Sequence, residues 1–131
     1  MKKDIEIPVV KDVYVAIICE WNEEFLNKDW NVYLINDQDT AIEMTMAVSK
    51  GYDGDRKTSI MRHGIGMLAA KSFKKIEVVQ EDVLSLNNEF FVTFYTDSKL
   101  YEKRFVFEKN TVTETNLTMI PLIEKEGIYA K

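Results

Sequence analysis

No stretch of ten or more residues in this chain keeps a 3.6-residue apolar period. Short runs rich in β-branched and aromatic residues recur along its length instead. That property removes helical bundles and α/β folds, which need amphipathic helices to cover a core. Seven or eight such runs, spaced roughly 8–12 residues apart, predict an all-β fold, an immunoglobulin-like two-sheet antiparallel sandwich of 7–8 strands. An eight-stranded β-barrel uses the same pattern and is the alternative. At 131 residues the chain is one domain, with residues 110–131 read as a C-terminal extension packing on it. A chain of this size buries about two thirds of its unfolded surface and needs no staple.

Individual runs carry more detail. Trp30-Asn31-Val32-Tyr33-Leu34-Ile35-Asn36 is apolar on both faces, as expected of a central strand. Trp30, Val32 and Leu34 are assigned to the core. Tyr33 and Ile35 then point outward and require a cover: a loop, the C-terminal tail or another subunit. Residues 13–21 form a second two-faced run. Residues 22–29 between them read as a loop or one helical turn. In residues 42–49, Ile42, Met44, Met46 and Val48 alternate with Glu43, Thr45 and Ser49, which predicts the first set inward and the second outward. A turn follows at residues 51–55, a strand at 58–63, and a break or bulge at Gly64-Ile65-Gly66. A strand over 73–80 places Ile76 and Val78 on one face. The aromatic runs 89–95 and 100–107 around Thr96-Asp97-Ser98-Lys99 are the strongest hairpin signal in the chain. Ile5-Glu6-Ile7 reads as a short edge strand, residues 115–119 as a helical turn and 120–123 as extended.

Chemistry is largely excluded. The lone histidine, His63, follows Arg62 and has no acid close in sequence to orient it, so it reads as a rim residue. One Cys and one His cannot make a Cys/His zinc site. Asp53-Gly54-Asp55 begins like a calcium loop, but Lys57 falls where an oxygen ligand belongs and no closing glutamate follows. Gly64-Ile65-Gly66 lacks the third glycine of a dinucleotide fingerprint, since Ala69 stands there. No residue pattern calls for a cofactor, and no catalytic constellation is present. One feature stands above background: residues 56–76 carry Arg56, Lys57, Arg62, Lys71, Lys74 and Lys75 and no acid. That segment holds +6 against −11 for the rest of the chain, within a net charge of −5. With His63 these residues form a candidate patch for an anionic partner: RNA, an acidic protein or the chain's own acidic face in a homodimer. Lysines that blunt an edge strand against aggregation are the plainer reading of the same residues. The Phe90, Val92, Phe94, Tyr101, Phe105 and Phe107 set reads as core.

Residues 13–19 are too short to span a bilayer, and no leader pattern precedes them, so a cytoplasmic protein without a membrane partner is expected. Cys19 is expected as a buried free thiol. Over its whole length the chain resembles a family of small uncharacterised bacterial proteins of the Bacteroidetes type. The likeness lies in Val13-Tyr14-Val15-Ala16, Glu20-Trp21-Asn22-Glu23-Glu24-Phe25, Tyr33-Leu34-Ile35-Asn36, Asp55-Arg56-Lys57-Thr58-Ser59, Ala70-Lys71-Ser72-Phe73 and Ile120-Pro121-Leu122-Ile123 with Gly127. Some members carry a phenylalanine–tRNA ligase alpha-subunit label, which implies aminoacylation. This chain is far shorter than a class II catalytic domain, and Met61-Arg62-His63-Gly64-Ile65-Gly66 is its nearest approach to the required arginine and glycine-rich strand. Tyr33-Leu34-Ile35-Asn36-Asp37 is also similar to a strand of a β-domain that bacteria join to Smr-type nuclease domains, which implies an accessory binding module. The expected function is a non-catalytic binding or protein-interaction module. Association with nucleic acid through residues 56–75 is the first alternative, and an enzyme of unknown class the last.

Overall fold

The computed structural model describes residues 9–130; the expected edge strand at Ile5-Glu6-Ile7 lies outside the described residues. Among the described residues ten strands and two short 3-10 turns build two antiparallel five-stranded sheets, which do not close into a barrel. In the first sheet β1 (Val13–Asn22) and β2 (Asn27–Asn36) form a hairpin. β2 pairs on its far side with β6 (Ser72–Val79). β1 pairs with β10 (Lys125–Tyr129), and β10 with β9 (Thr118–Ile120). The second sheet is built on β3 (Ile42–Asp53). On one side of β3 lie β7 (Asn87–Thr96) and then β8 (Lys99–Phe107). On the other lie β5 (Met61–Leu68) and β4 (Arg56–Lys57). β4 and β9, of two and three residues, are too short to leave an alternating pattern in sequence. Among the described residues no helix is long and apolar enough to cross a membrane.

The main core lies between the sheets. Val13, Val15, Ile17, Trp30, Val32 and Leu34 from one sheet meet Phe90, Val92, Phe94, Phe105 and Phe107 from the other. Trp30, Val32 and Leu34 therefore face as expected, and Cys19 packs half-buried against the same core. Tyr33 and Ile35 take the opposite face and join a second, smaller cluster with Ala16, Ile18, Ile120 and Ile123. The chain between β9 and β10 supplies this cover. It does so as a turn, closed by Ile123 N to Pro121 O at 2.9 Å and Glu124 N to Ile120 O at 2.8 Å, and not as the extended segment expected at 120–123.

Turn chemistry agrees with sequence in three places. Asn22 Oδ1 accepts from the amides of Glu24 and Phe25 and so closes the β1–β2 hairpin. Asn36 Oδ1 accepts from Gln38 N, while its Nδ2 reaches Thr40 O, Leu68 O and Ala69 O, which stops β2 and ties two loops together. Asp97 and Ser98, with φ of 53° and 61°, form the two-residue turn between β7 and β8. Positive φ at both centres is the type I′ geometry whose twist matches that of the flanking strands.

Two strands depart from simple alternation. In β3 the pairing slips between Ile42 and Thr45, and Met44 adopts φ 50°. This bulge shifts every later side chain to the other face. Thr45, Ala47 and Ser49 turn inward, and Met44 and Met46, expected in the core, are 71% and 42% exposed. Gly64-Ile65-Gly66 on β5 forms the bulge expected there, opposite Thr45 and Met46. In β6 the register slips opposite Val32 and Tyr33, where Ile76 is the extra residue. Ile76 packs on the core, but Val78 is exposed, so the two do not share a buried face.

Thr45 is buried, and its hydroxyl has no hydrogen-bond partner. Thr45→Val keeps the side-chain shape and removes that uncompensated group. It is expected to raise the unfolding free energy by about 1 kcal/mol in a urea titration. A lower value would mean that the hydroxyl is satisfied in solution.

Candidate functional site

The bulges that displace the methionines also assemble a polar cluster where β5 passes from one sheet to β6 in the other. β3 turns Ser49 inward, β5 places His63 beside Ala47, and β6 aims Glu77 into the gap. Ser49 Oγ donates to Glu77 Oε1 at 2.7 Å, and His63 Nε2 lies 2.7 Å from the same oxygen. The His63 and Glu77 side chains are only 17% and 14% exposed. His63 is therefore not a bare rim residue. The fold supplies the acid that sequence proximity lacks: Glu77, the first acid after residues 56–76. That acid directly follows the basic run, and its position there is the signal by which it can be found.

Chemically this cluster is a clamp between strands. In a nucleophile relay the imidazole stands between hydroxyl and carboxylate. Here both groups converge on one carboxylate oxygen. The adjoining cleft, about 200 Å³ and lined by Gly51, Thr58, Ser59, Val79 and Val83, is smaller than ordinary ligand pockets. Among the described residues no group of three or more His, Cys, Asp or Glu is placed to hold a metal ion. Asp53-Gly54-Asp55 closes the β3–β4 hairpin, with Asp53 paired to Arg56 and Lys109. Those two cations hold the Asp53 carboxyl below its usual range.

The basic run does not gather at one place. Arg56 and Lys57 sit on β4 at one end of β3, and Arg56 reaches Asp53 at 3.1 Å. Lys71 sits near the other end, roughly 35 Å away along the strand, with its ammonium on Asp37 and Asp39. Arg62 lies on the outer face of the second sheet beside Val48, and Lys74 and Lys75 lie exposed on β6. Only His63 of the seven joins the clamp.

A second polar centre lies on the outer face of the first sheet. Glu20 accepts from Asn31 Nδ2 at 2.7 Å and Tyr33 OH at 2.8 Å, and Lys125 closes on its other oxygen. Burial alone would raise the Glu20 pKa, but the hydrogen bonds from Lys125, Asn31 and Tyr33 outweigh it and hold the carboxyl below its usual value. Burial and the bond to Glu20 push the Tyr33 phenol up to about 12.

One outer surface is unusually apolar. On the outer face of the second sheet Met44 and Met46 from β3, Met67 from β5, Tyr95 from β7 and Leu100 from β8 are all exposed. Val48 and Phe91, paired across β3 and β7, are half-buried between them. Arg104 lies over the Phe91 ring at 5.4 Å and bridges to Glu89 at 3.1 Å, which gives the patch a charged rim. Sequence alternation hid this patch by assigning its methionines to the core. Against this geometry, comparison with protein families, curated proteins and solved structures finds no match.

Proposed function

We propose that the protein is a non-catalytic, cytoplasmic protein-interaction module that docks a partner protein through the outer face of the sheet β5-β3-β7-β8. The observation that carries this reading is the exposed set Met44, Met46, Met67, Tyr95 and Leu100 on one side of one sheet. Solvent-facing β surfaces are ordinarily polar, and contiguous apolar ones mark contact sites. Methionines suit such a surface because their unbranched side chains repack against different partners. The partner is a protein that offers an apolar patch with acidic groups at its edge, to meet Arg104 and Lys50, which flank the buried Glu89. Strand order supports an immunoglobulin-like frame for the module: β1-β2-β6 take the places of strands A, B and E, and β3-β7-β8 those of C, F and G. The unpaired, half-buried thiol of Cys19 suits a reducing compartment.

A photo-crosslinking residue placed at Met46 in living cells is expected to yield protein adducts. The same residue at Met119, exposed on β9 in the other sheet, is expected to yield few. Equal labelling from both positions, or none from Met46, overturns the reading.

A further inference from the structure

Strand β8 stands at the edge of its sheet. Among the described residues it pairs only with β7, in unbroken register from Asn88↔Phe107 to Thr96↔Lys99. Across the seam between the sheets its inner side faces two cavities of about 290 Å³ that share Tyr129, so none of the described strands closes over it there. The two-residue turn fixes which backbone groups are free. Thr96 and Lys99 close the hairpin as a hydrogen-bonded pair, and bonding alternates from there. Lys99, Tyr101, Lys103, Phe105 and Phe107 therefore bond to β7. Leu100, Glu102, Arg104 and Val106 direct their N–H and C=O groups to the open side.

The sequence of this edge reads the same way in both directions by chemical class. Leu100-Tyr101-Glu102-Lys103-Arg104-Phe105-Val106 is apolar, aromatic, charged, Lys, charged, aromatic, apolar, with opposite charges at Glu102 and Arg104. We infer that a second copy of this chain is the occupant of the edge, through antiparallel β8–β8 pairing with Lys103 on the two-fold axis. This deepens the proposed interaction-module reading by naming one partner, and it uses the β8 edge, which meets the methionine face only at Leu100 and Arg104.

The register follows from matching free groups to free groups. With Lys103 opposite itself, Glu102 faces the second copy's Arg104, and Leu100 faces its Val106. These are the residues whose backbone groups are free, so each such pair exchanges two hydrogen bonds. Two-fold symmetry repeats each pair, which gives eight bonds and two opposite-charge contacts. On the inner side Tyr101 faces the second copy's Phe105. Arg104 Nε stays with Glu89, and its remaining guanidinium donors are available for the second copy's Glu102. The unfavourable element is Lys103 opposite Lys103. Its ammonium lies 5.0 Å from the Phe105 ring centroid of its own chain, which draws it off the axis.

Sedimentation velocity on the full chain tests the pairing by charge exchange. Glu102→Arg and Arg104→Glu, singly, each place like charges opposite one another twice, and each should weaken the dimer by about tenfold or more. The double variant restores opposite charges in the same register and should return to within about threefold of wild type. Lys103→Thr removes the like-charge contact and should tighten it. Lys103→Cys in a Cys19→Ser background should form an intermolecular disulfide rapidly, because only the two-fold register brings position 103 against itself. A chain monomeric at its highest soluble concentration, with Lys103→Cys left reduced, overturns the inference and leaves the face-docking reading standing. A dimer indifferent to the charge exchange but broken by Met46→Lys also overturns it, and assigns self-association to the methionine face.

Discussion

Gly127→Ala is expected to lower the unfolding free energy by about 3 kcal/mol, the upper end of the usual cost of adding a methyl group to a packed site. A Cβ at this position would lie 2.5 Å from Ile17 O and 2.6 Å from Ile18 Cδ1. The isoleucine tip can rotate away, but the carbonyl belongs to β1 and cannot. Gly127 lies opposite Ile18 on one side and Thr118 on the other, so the added group must push β10 off β1. The loss then spreads. β10 begins with Lys125, the partner of Glu20, and the turn before it carries Ile123 over Ile18 and Ile35. Gly64→Ala is the matched control: a Cβ there meets nothing within 4 Å, and its stability should stay within about 0.5 kcal/mol of wild type. Chemical denaturation of both variants decides the matter, and equal midpoints would remove close packing at Gly127 as the reason for glycine there.

Much of this architecture is legible in residue order, for an identifiable reason. A strand buried on both faces, such as β2, needs little phase information: in Trp30 to Ile35 both faces are apolar but for Asn31, so its central position follows from composition. The β7–β8 hairpin is legible because two long aromatic runs flank a short polar turn. What is not legible is phase after an irregularity. Ile42, Met44, Met46 and Val48 alternate cleanly, yet one residue in a left-handed conformation at Met44 turns Met44, Met46 and Val48 outward while Ile42, ahead of it, stays in the core. Methionine gives no warning of that conformation, as glycine or asparagine would. Gly64 and Gly66 do signal the matching irregularity on β5, but not that β3 bends with it. The candidate surfaces were hidden for the same reason. The apolar outer face is made by the β3 bulge, and the Ser49–Glu77–His63 clamp needs that bulge and the one at Ile76. The basic run failed to mark a patch because Arg56 and Lys71 are close in sequence but lie near opposite ends of a twelve-residue strand.

The Glu20 centre should make stability fall at both ends of the pH range, with signs that follow from its two main groups. The Glu20 carboxyl titrates lower in the folded protein than in the unfolded chain. Its contribution is therefore complete above the unfolded value, about 4.3, and is lost as pH falls through the folded value. The Tyr33 phenol is raised from 10.0 to about 12, by burial first and by its bond to Glu20 second. Its contribution is complete below pH 10 and is lost as pH rises toward 12. A displacement of two units corresponds to at most about 2–3 kcal/mol across that interval. Tyr33→Phe should cost about 1 kcal/mol at neutral pH, for the lost bond to a carboxylate. It should also flatten the alkaline limb relative to wild type. That difference between curves is the proper readout, because surface lysines titrate in the same interval and act on both proteins alike. Glu20→Gln should cost about 2 kcal/mol at pH 7 and flatten the acid limb. It should also bring the Tyr33 phenolate absorbance midpoint down from about 12 without returning it to 10.0, since burial remains. A Tyr33→Phe curve parallel to wild type above pH 10 would show that neither burial nor the bond to Glu20 displaces the phenol. Asn31 and Lys125 would then be the groups that hold the Glu20 carboxylate, and the acid limb alone would report on this centre.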